Sequence, residues 1–161
     1  MIIVPGAGGV GKTTMVGLIT DFLWGEDNVT KLYAAPMEET AKGLASTFGE
    51  TDDKKIFKNK LELFQFLFGK DANLDFKIEV KNKVLKLKER PKFLNPSKEH
   101  IATIKESANV LIIDEIGQYT EIELMLIDEI AAKAGIHVIG LGDHCQIGSL
   151  ATFGEGKNTR R

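Results

Sequence analysis

The stretch Gly6-Ala7-Gly8-Gly9-Val10-Gly11-Lys12-Thr13 decides the fold of this 161-residue chain. It satisfies the pattern G-x-x-x-x-G-K-[ST], follows the apolar run Ile2-Ile3-Val4 and precedes an apolar repeat of helical spacing over residues 12–24. Glycines let successive backbone N–H groups turn toward phosphate oxygens, and the following helix adds the positive end of its dipole. The order strand, loop, helix therefore predicts a phosphate loop for a nucleoside triphosphate rather than a glycine-rich turn without function.

The candidate ligands of the nucleotide are the residues of this loop and of the first helical turn after it. We expect Lys12 to bridge the β- and γ-phosphates of ATP and the Thr13 hydroxyl to bind Mg²⁺. Thr14 adjoins the motif, and packing is the more ordinary role for that position. The full set of candidate nucleotide-binding residues is Gly6, Gly8, Gly9, Val10, Gly11, Lys12, Thr13 and Thr14.

The rest of the chain alternates continuous apolar runs with amphipathic segments, which is typical of an α/β fold with a parallel sheet flanked by helices. The further predicted strands are 30–35, 110–113 and 136–141, and the predicted helices are 37–48, 53–68, 97–107 and 120–134. Ligands of such sheets bind at the carboxyl ends of the strands. The fold class predicted is therefore an α/β P-loop NTPase, with a parallel sheet flanked by helices.

One segment departs from this rhythm. Over residues 76–87 apolar side chains alternate with lysine and glutamate around Asn82-Lys83, which predicts a β-hairpin. We therefore expect one nucleotide-binding domain over residues 1–150, with an insert at about 70–96 that carries the hairpin. Residues 151–161 are rich in glycine and charge and are expected to be a flexible tail or linker.

Two acidic residues follow the strand predicted at 110–113. Asp114 is placed to hold hydrated Mg²⁺, and Glu115, which leaves the strand in a different direction, is the candidate base for the attacking water. The alternative is a solvated acidic pair at a strand end. Asp128-Glu129 is the same dipeptide at exposed helical spacing, and it is interpreted as surface charge.

A third polar element, Gly142-Asp143-His144-Cys145-Gln146, follows the strand predicted at 136–141. The Gln146 amide is the candidate sensor of the γ-phosphate and of the attacking water. His144 and Cys145 are interpreted as loop or packing residues, because a single cysteine lacks the partners of a zinc site. The candidate catalytic residues are thus Lys12, Glu115 and Gln146.

Composition limits the remaining possibilities. With 21 basic and 23 acidic side chains the net charge is -2, so contact with a nucleic acid would depend on local patches. The single cysteine excludes an internal disulfide, and no apolar run approaches the length that spans a membrane. These features predict a cytoplasmic protein without a membrane partner.

With these three motifs in this order, the chain resembles the first motor domain of superfamily 1 helicases, most closely the RecD-like group. The resemblance implies a RecA-like sheet, with motif I at 6–13, motif II at Asp114-Glu115 and motif III at 142–146. It also implies a DNA-touching motif Ia at 34–44, with Pro36, Met37 and Thr40 as candidate nucleic-acid contacts. Glu38 and Glu39 depart from the family pattern, since they place negative charge beside the expected strand path.

The lysines of the predicted hairpin are further candidates for nucleic-acid contact. Lys83, Lys86 and Lys88 belong to a basic run in which Arg90 also takes part, and only Glu79 and Glu89 oppose it. The alternative is a solvated hairpin face on which lysine protects the strand edge from pairing.

The resemblance implies single-stranded DNA, or possibly RNA, as a partner, together with a second motor domain that this chain lacks. The chain is thus expected to be a fragment or a degenerate product of a larger helicase, able to bind nucleotide but not to translocate alone. Three alternatives stay open: a viral-type superfamily 1 RNA helicase domain, a signalling NTPase switch, and a nucleotide-binding module without turnover.

Overall fold

A parallel sheet of five strands forms the centre of the fold, and a separate two-stranded hairpin lies beside it. The computed structural model describes residues 1–5, 10–25 and 29–142, and for residue 10 it describes the backbone alone. In chain order the strands are β1 Ile2–Val4, β2 Lys31–Ala34, β3 Ile56–Phe57, β4 Ile78–Lys81, β5 Val84–Leu87, β6 Val110–Ile113 and β7 His137–Leu141. The helices are α1 Val10–Trp24, α2 Glu38–Thr47, α3 Lys60–Phe68, α4 Lys98–Ser107 and α5 Glu121–Ala134. The predicted α/β fold class is confirmed.

The order of strands in the sheet is β1-β7-β6-β2-β3, and all neighbours are parallel. Strand β7 therefore lies between β1, which leads into the phosphate loop, and β6, which ends at Asp114. In this register Val4 pairs with Leu141, and Ile113 pairs with Gly140. The carboxyl ends of the three strands that carry the predicted motifs thus meet side by side at one edge of the sheet.

Helices cover both faces of the sheet, and each face has its own core. On one face, Val16 of α1 and Leu44 of α2 pack on Ile112 and Ile139. On the other, side chains of α3, α4 and α5, among them Phe64, pack on the opposite face of the same strands. This three-layer arrangement holds the strands rigidly and leaves their carboxyl ends accessible for a ligand.

The prediction of one helix over residues 53–68 was wrong in its first part. Ile56 and Phe57 form β3, an edge strand that pairs with Tyr33 and Ala34 of β2, and both side chains are buried. Helix α3 begins only after Asn59, whose side chain accepts a hydrogen bond from the Glu62 N–H at 2.8 Å. Two consecutive buried residues suit a short strand that is covered on both faces.

Helix α1 does not bury the face on which its predicted apolar repeat lies. Val16 and Thr20 face the sheet, whereas Met15, Leu18 and Phe22 are exposed, the last at 88% of its surface. The helix lies at the edge of the sheet formed by β1, and no described element covers its outer face. The helical spacing predicted the helix but not its orientation.

The hairpin forms as predicted. Asn82 and Lys83 have left-handed backbones, with φ of 55° and 64°, as a tight turn of two residues requires. Leu85 and Leu87 are partly buried, and β5 packs against α5. The tail expected at 151–161, and with it the domain boundary at residue 150, lies outside the described residues. No helix within residues 1–5, 10–25 and 29–142 has the length and apolarity needed to cross a bilayer.

Candidate nucleotide site

The first turn of α1 and the end of β6 bring a cation and a carboxylate together. Lys12 Nζ lies 3.5 Å from Asp114 Oδ1, although 102 positions separate the two residues in the chain. Their side chains are only 13% and 19% exposed. The Asp114 N–H donates to the Ala34 carbonyl at 2.9 Å, so the backbone of Asp114 continues the pairing of β6 with β2. The two charges that a bound triphosphate and its metal need therefore face each other across the edge of the sheet.

The residues at this edge fit a hydrated Mg²⁺ ion. Asp114 Oδ1 accepts the Glu115 N–H at 2.8 Å, whereas Oδ2 accepts no hydrogen bond from any described residue. Thr13 follows Lys12 in the same helical turn and is half-buried. A carboxylate oxygen and a hydroxyl are hard ligands of the kind Mg²⁺ prefers, with water completing its shell. A ready-made cage of three or more acidic, His or Cys side chains is not present among the described residues.

Glu115 leaves the strand through a tight turn. Its backbone is left-handed, with φ 52° and ψ 48°, which is unusual for a residue with a side chain. A single turn of 3₁₀ helix, Ile116–Gln118, follows it. The Gln118 Nε2 amide then donates back to Glu115 Oε1 at 2.6 Å. The carboxylate of Glu115 is consequently held by a neutral donor.

Gly140 of β7 and Gly142, which follows that strand, make room for this turn. A Cβ atom at Gly140 would lie 2.9 Å from Ile116 Cγ2, and a Cβ atom at Gly142 would lie 3.2 Å from the Ile116 backbone nitrogen. The Gly142 backbone has φ of 136° and donates its N–H to the Val4 carbonyl at 3.2 Å. The turn that carries Glu115 therefore packs directly on the strand that leads toward Gln146.

A charged cluster lies behind the turn. Lys60 Nζ is 2.9 Å from Glu123 Oε1 and 5.1 Å from the centre of the Tyr119 ring. The same carboxylate accepts the Thr120 N–H at 2.8 Å and completes a capping box at the start of α5. Burial raises the pKa of the Tyr119 hydroxyl, and the negative charges of Glu123, Asp114 and Glu115 raise it further. In the described part of the chain that hydroxyl has no hydrogen-bond partner.

The residues predicted from motif Ia lie at the same carboxyl edge, beyond β2. Pro36 follows β2, Met37 is exposed at the start of α2, and Thr40 is half-buried in the first turn of that helix. Glu38 forms an exposed ion pair with Lys42 at 2.7 Å. The hydrogen bond from Lys42 lowers the pKa of Glu38, so negative charge persists at this end of α2.

The hairpin lysines lie apart from the residues predicted from motif Ia. Lys86 and Lys88 lie on the face of the hairpin opposite Leu85 and Leu87, and Lys83 lies in the turn, so all three are exposed. The hairpin packs on α5 at one face of the sheet, whereas α2 packs on the other face. Arg90, which was counted with the basic run, is paired with Glu129 on α5.

Part of the predicted site lies outside the described residues. Gly6, Gly8, Gly9 and Gln146 belong to this part, as do His144 and Cys145. The rest of the loop motif is described: Gly11, Lys12 and Thr13 lie in the first turns of α1, and Thr14 is exposed rather than packed. The structure thus brings together Lys12, Thr13, Asp114 and Glu115.

Sequence reasoning missed Gln118 and the glycines under the turn. Gln118 lies at a position for which the family resemblance implies no role, and its distance of three residues from Glu115 gave no clue that a turn would return its amide to that carboxylate. The capping box was readable, since Thr120 precedes an apolar run and Glu123 follows three residues later. The start of α5 was predicted at residue 120, and this signal would also have indicated the hydrogen bonds that hold Glu123.

Several similar solved structures are helicases. The first is a structure that concerns DNA unwinding at forked double-stranded DNA by two coordinating Pif1 helicases. It has 21% sequence identity to this chain and a TM-score of 0.49, and the match covers 88% of this chain and 29% of that chain. Bacteroides sp. Pif1 in complex with ADP-AlF4 has 21% identity and a TM-score of 0.46, over 88% and 27% of the two chains. Bacteroides Pif1 bound to single-stranded DNA has 20% identity and a TM-score of 0.43, over 96% and 33%. This chain therefore spans a third or less of the length of these helicases.

Comparison with protein families covers nearly the whole sequence. No curated protein matches the chain. A family model described as an AAA domain, however, matches residues 1–157 and so includes every motif discussed above. Together with the parallel sheet and the facing Lys12 and Asp114, this match identifies the chain as a member of the AAA domain family.

Proposed function

We propose that this chain is the ATP-binding and ATP-hydrolysing motor domain of a superfamily 1 DNA helicase. When paired with a second motor domain, it would couple hydrolysis to translocation on single-stranded DNA. The observation that supports this most directly is the approach of Lys12 Nζ to Asp114 Oδ1 at 3.5 Å, beside the end of β7. Phosphate loop, metal-binding acid and sensor strand are then neighbours, which hydrolysis of a triphosphate requires.

Each residue of the site has a role in this proposal. The backbone of the loop and Lys12 bind the phosphates, while Thr13 and Asp114 hold Mg²⁺. Glu115 removes a proton from the attacking water as the water oxygen bonds to the γ-phosphorus. The bond to the bridging oxygen breaks with its electron pair on ADP, and Gln146 reports whether the γ-phosphate is present.

Contact with DNA is the less direct part of the proposal. It rests on Pro36, Met37 and Thr40 at the carboxyl edge and on the exposed lysines of the hairpin, Lys83, Lys86 and Lys88. A cytoplasmic location and Mg²⁺ as the metal belong to the same proposal, as does a second motor domain that supplies the opposing surface of the ATP site.

A thermal-unfolding experiment tests the proposal. Mg²⁺-ATP at about 100 times its dissociation constant stabilises a one-site protein by about 2.7 kcal/mol, which raises Tm by several degrees. We expect this shift for the chain, its loss in Lys12→Ala, and a larger shift when single-stranded DNA is added. Asp114→Asn should reduce the Mg²⁺ dependence of the shift, whereas Asp128→Asn should leave it unchanged.

DNA contact by the hairpin is tested separately. Replacing Lys83, Lys86 and Lys88 with Gln should flatten the dependence of single-strand affinity on salt, because each lost phosphate contact removes about 0.7 from the slope. An unchanged slope would mean that the lysines only keep the hairpin solvated. Tighter binding of single-stranded RNA than of DNA would favour the RNA helicase alternative.

One observation favours a second candidate function, a nucleotide-binding switch or module without helicase activity. Glu38 and Glu39 occupy the first turn of α2, where the strand path would pass. Carboxylates repel a phosphate backbone, and the ion pair with Lys42 leaves Glu39 uncompensated. A nucleotide-dependent shift that DNA and RNA both leave unchanged would support this second function.

A further inference from the structure

We infer that Gln118 is a positioning residue for Glu115, holding its carboxylate in the orientation in which it accepts a proton from water. This inference rests on the proposed role of Glu115 as the base. It concerns a residue that the motif patterns leave without a function, since the family resemblance places no glutamine at this position.

The hydrogen bond between the two side chains is short and local. Gln118 Nε2 donates to Glu115 Oε1 at 2.6 Å, and the Gln118 backbone N–H donates to the Glu115 carbonyl at 3.0 Å. One residue therefore fixes both the backbone and the side chain of the residue three positions earlier. The 3₁₀ turn between them creates this geometry, because in such a turn residues i and i+3 are aligned.

Glu115 needs such a partner because its backbone conformation does not by itself fix the position of the carboxylate. The left-handed backbone of Glu115 packs closely on Gly142. A Cβ atom added to Gly142 would lie 3.4 Å from the Glu115 Cα atom. The Glu115 side chain still has three rotatable bonds, and no described Lys, Arg or His lies within ion-pair distance of it. Without Gln118 a half-buried glutamate would sample several rotamers.

The pattern of acceptors indicates which oxygen does the chemistry. Gln118 occupies Oε1, whereas Oε2 accepts no hydrogen bond from any described residue. Asp114 is held in a similar way, with the Glu115 N–H and Lys12 both at Oδ1. Each acid therefore keeps one oxygen for a ligand: Asp114 Oδ2 for a metal-bound water, and Glu115 Oε2 for the attacking water.

The choice of side chain at position 118 is specific. Asparagine is shorter by one methylene and would not reach Oε1 from the same backbone. Methionine has a similar length and volume but no N–H donor. Glutamate would place a second negative charge against the first and push it away. These three substitutions separately test the length of the side chain, its ability to donate a hydrogen bond and the effect of a negative charge.

The experiment measures single-turnover ATP hydrolysis by the full chain in excess over nucleotide, for the wild type, Gln118→Met, Gln118→Asn and Glu115→Gln. Gln65→Met, an exposed glutamine on α3, is the matched control. We expect Gln118→Met and Gln118→Asn to lower the rate about tenfold at unchanged KM for ATP, because a misplaced base loses rate rather than binding. Gln65→Met should be unchanged.

A binding measurement gives a second readout that does not depend on turnover. The affinities for ADP alone and for ADP with aluminium fluoride, which adds a mimic of the transferring phosphoryl group, are compared. Gln118→Met should weaken binding of the ADP–aluminium fluoride pair about tenfold and leave the affinity for ADP unchanged. If the wild type hydrolyses too slowly to measure, this ratio decides the question.

The failures of the two ideas are distinguishable. A Gln118→Met variant that matches the wild type in rate and in the affinity ratio, while Glu115→Gln is inactive, overturns the role of Gln118 alone. A Glu115→Gln variant that hydrolyses ATP normally overturns the assignment of the base and with it this inference. A Tm equal to that of the wild type confirms that each variant folds.

Discussion

The dipeptide Asp-Glu occurs twice in this chain, and its two copies behave differently. Asp114-Glu115 leaves the end of β6 in a turn packed on β7, with Lys12 and Gln118 as partners. Asp128-Glu129 lies in α5, where the two side chains are 53% and 41% exposed and pair with the terminal amine of Met1 and with Arg90. The same two residues are thus a candidate site at a strand end and exposed charge on a helix.

The difference shows that position in the sheet, rather than residue type, creates the site. At the carboxyl edge the acids are partly buried, their backbone is held by ladder hydrogen bonds, and a cation lies opposite. On α5 the ion pairs are exposed to water, which screens them and makes them worth little. The predictions below compare the two regions, beginning with the largest expected effect.

The largest effect is expected from removing the base. Glu115→Gln should lower the rate of ATP hydrolysis by a factor of about 100 to 10,000, which is the usual contribution of a positioned base. Glu129→Gln should keep the wild-type rate, since its partner Arg90 is remote from the site. Single-turnover kinetics measure both variants. Equal losses in the two would mean that the contrast between the dipeptides is mistaken.

The second effect concerns the close packing under the first dipeptide. Gly140→Ala should lower the free energy of unfolding by about 1–3 kcal/mol, because its methyl group would collide with Ile116 at 2.9 Å. Gly43→Ala in α2 is the control, since nothing lies within 4 Å of the added atom. This second variant should gain about 0.5–1 kcal/mol from helix propensity.

Urea unfolding curves for the two glycine variants give the comparison. A loss in both, or in neither, would show that the turn at Glu115 does not press on β7 as described.

The third effect concerns the buried Tyr119, which lies near the first dipeptide. Burial and the nearby carboxylates raise the pKa of this residue above its ordinary value of 10.0 in the folded protein. The unfolded chain then loses the phenol proton first, so the folded state loses stability as the pH rises above about 10. Tyr119→Phe should reduce this alkaline loss without abolishing it, because burial also raises the pKa of Tyr33 to about 12.

At neutral pH the same variant should be as stable as the wild type or more stable by about 1 kcal/mol, since it removes a buried hydroxyl that no described residue satisfies. Chemical unfolding at about pH 8 and above pH 10 measures both effects. A wild-type stability that stays flat across the alkaline range would contradict the burial of Tyr119.

The smallest effect belongs to the second dipeptide. Asp128→Asn removes an exposed ion pair with the terminal amine at 3.0 Å and should change the free energy of unfolding by less than about 0.5 kcal/mol. Calorimetry at low and high salt is the measurement. A change above about 1 kcal/mol would place Asp128 in a tighter environment than its exposure indicates.

Much of the fold could be predicted because local signals agree with the tertiary arrangement. The buried runs at Val110–Ile113 and His137–Leu141 are strands, and the lysine-rich alternation around Asn82-Lys83 is a hairpin. The strand Ile56–Phe57 was missed, since two residues cannot display a period and their neighbours fit a helix. Which face α1 buries depends on where the sheet ends, which the helix sequence does not contain.

The candidate site, like the fold, has features that could be predicted from the sequence and features that could not. Lys12, Thr13, Asp114 and Glu115 could be assigned from motifs, because chemistry dictates residue types and parallel strands bring their ends together. The left-handed backbone of Glu115, the approach of Ile116 to Gly140 and the return of the Gln118 amide could not. These depend on distances between β6 and β7, which no local pattern encodes.

The left-handed backbone of Glu115 has an evolutionary consequence. A side chain in this conformation costs about 1 kcal/mol relative to glycine or asparagine, so the acid is kept there against the preference of the backbone. Under the proposed function, descendants freed from the need to turn over nucleotide would gain stability by replacing it. A homologue with an intact phosphate loop but glycine or asparagine at this position would be recognisable as a former enzyme that had become a binding protein.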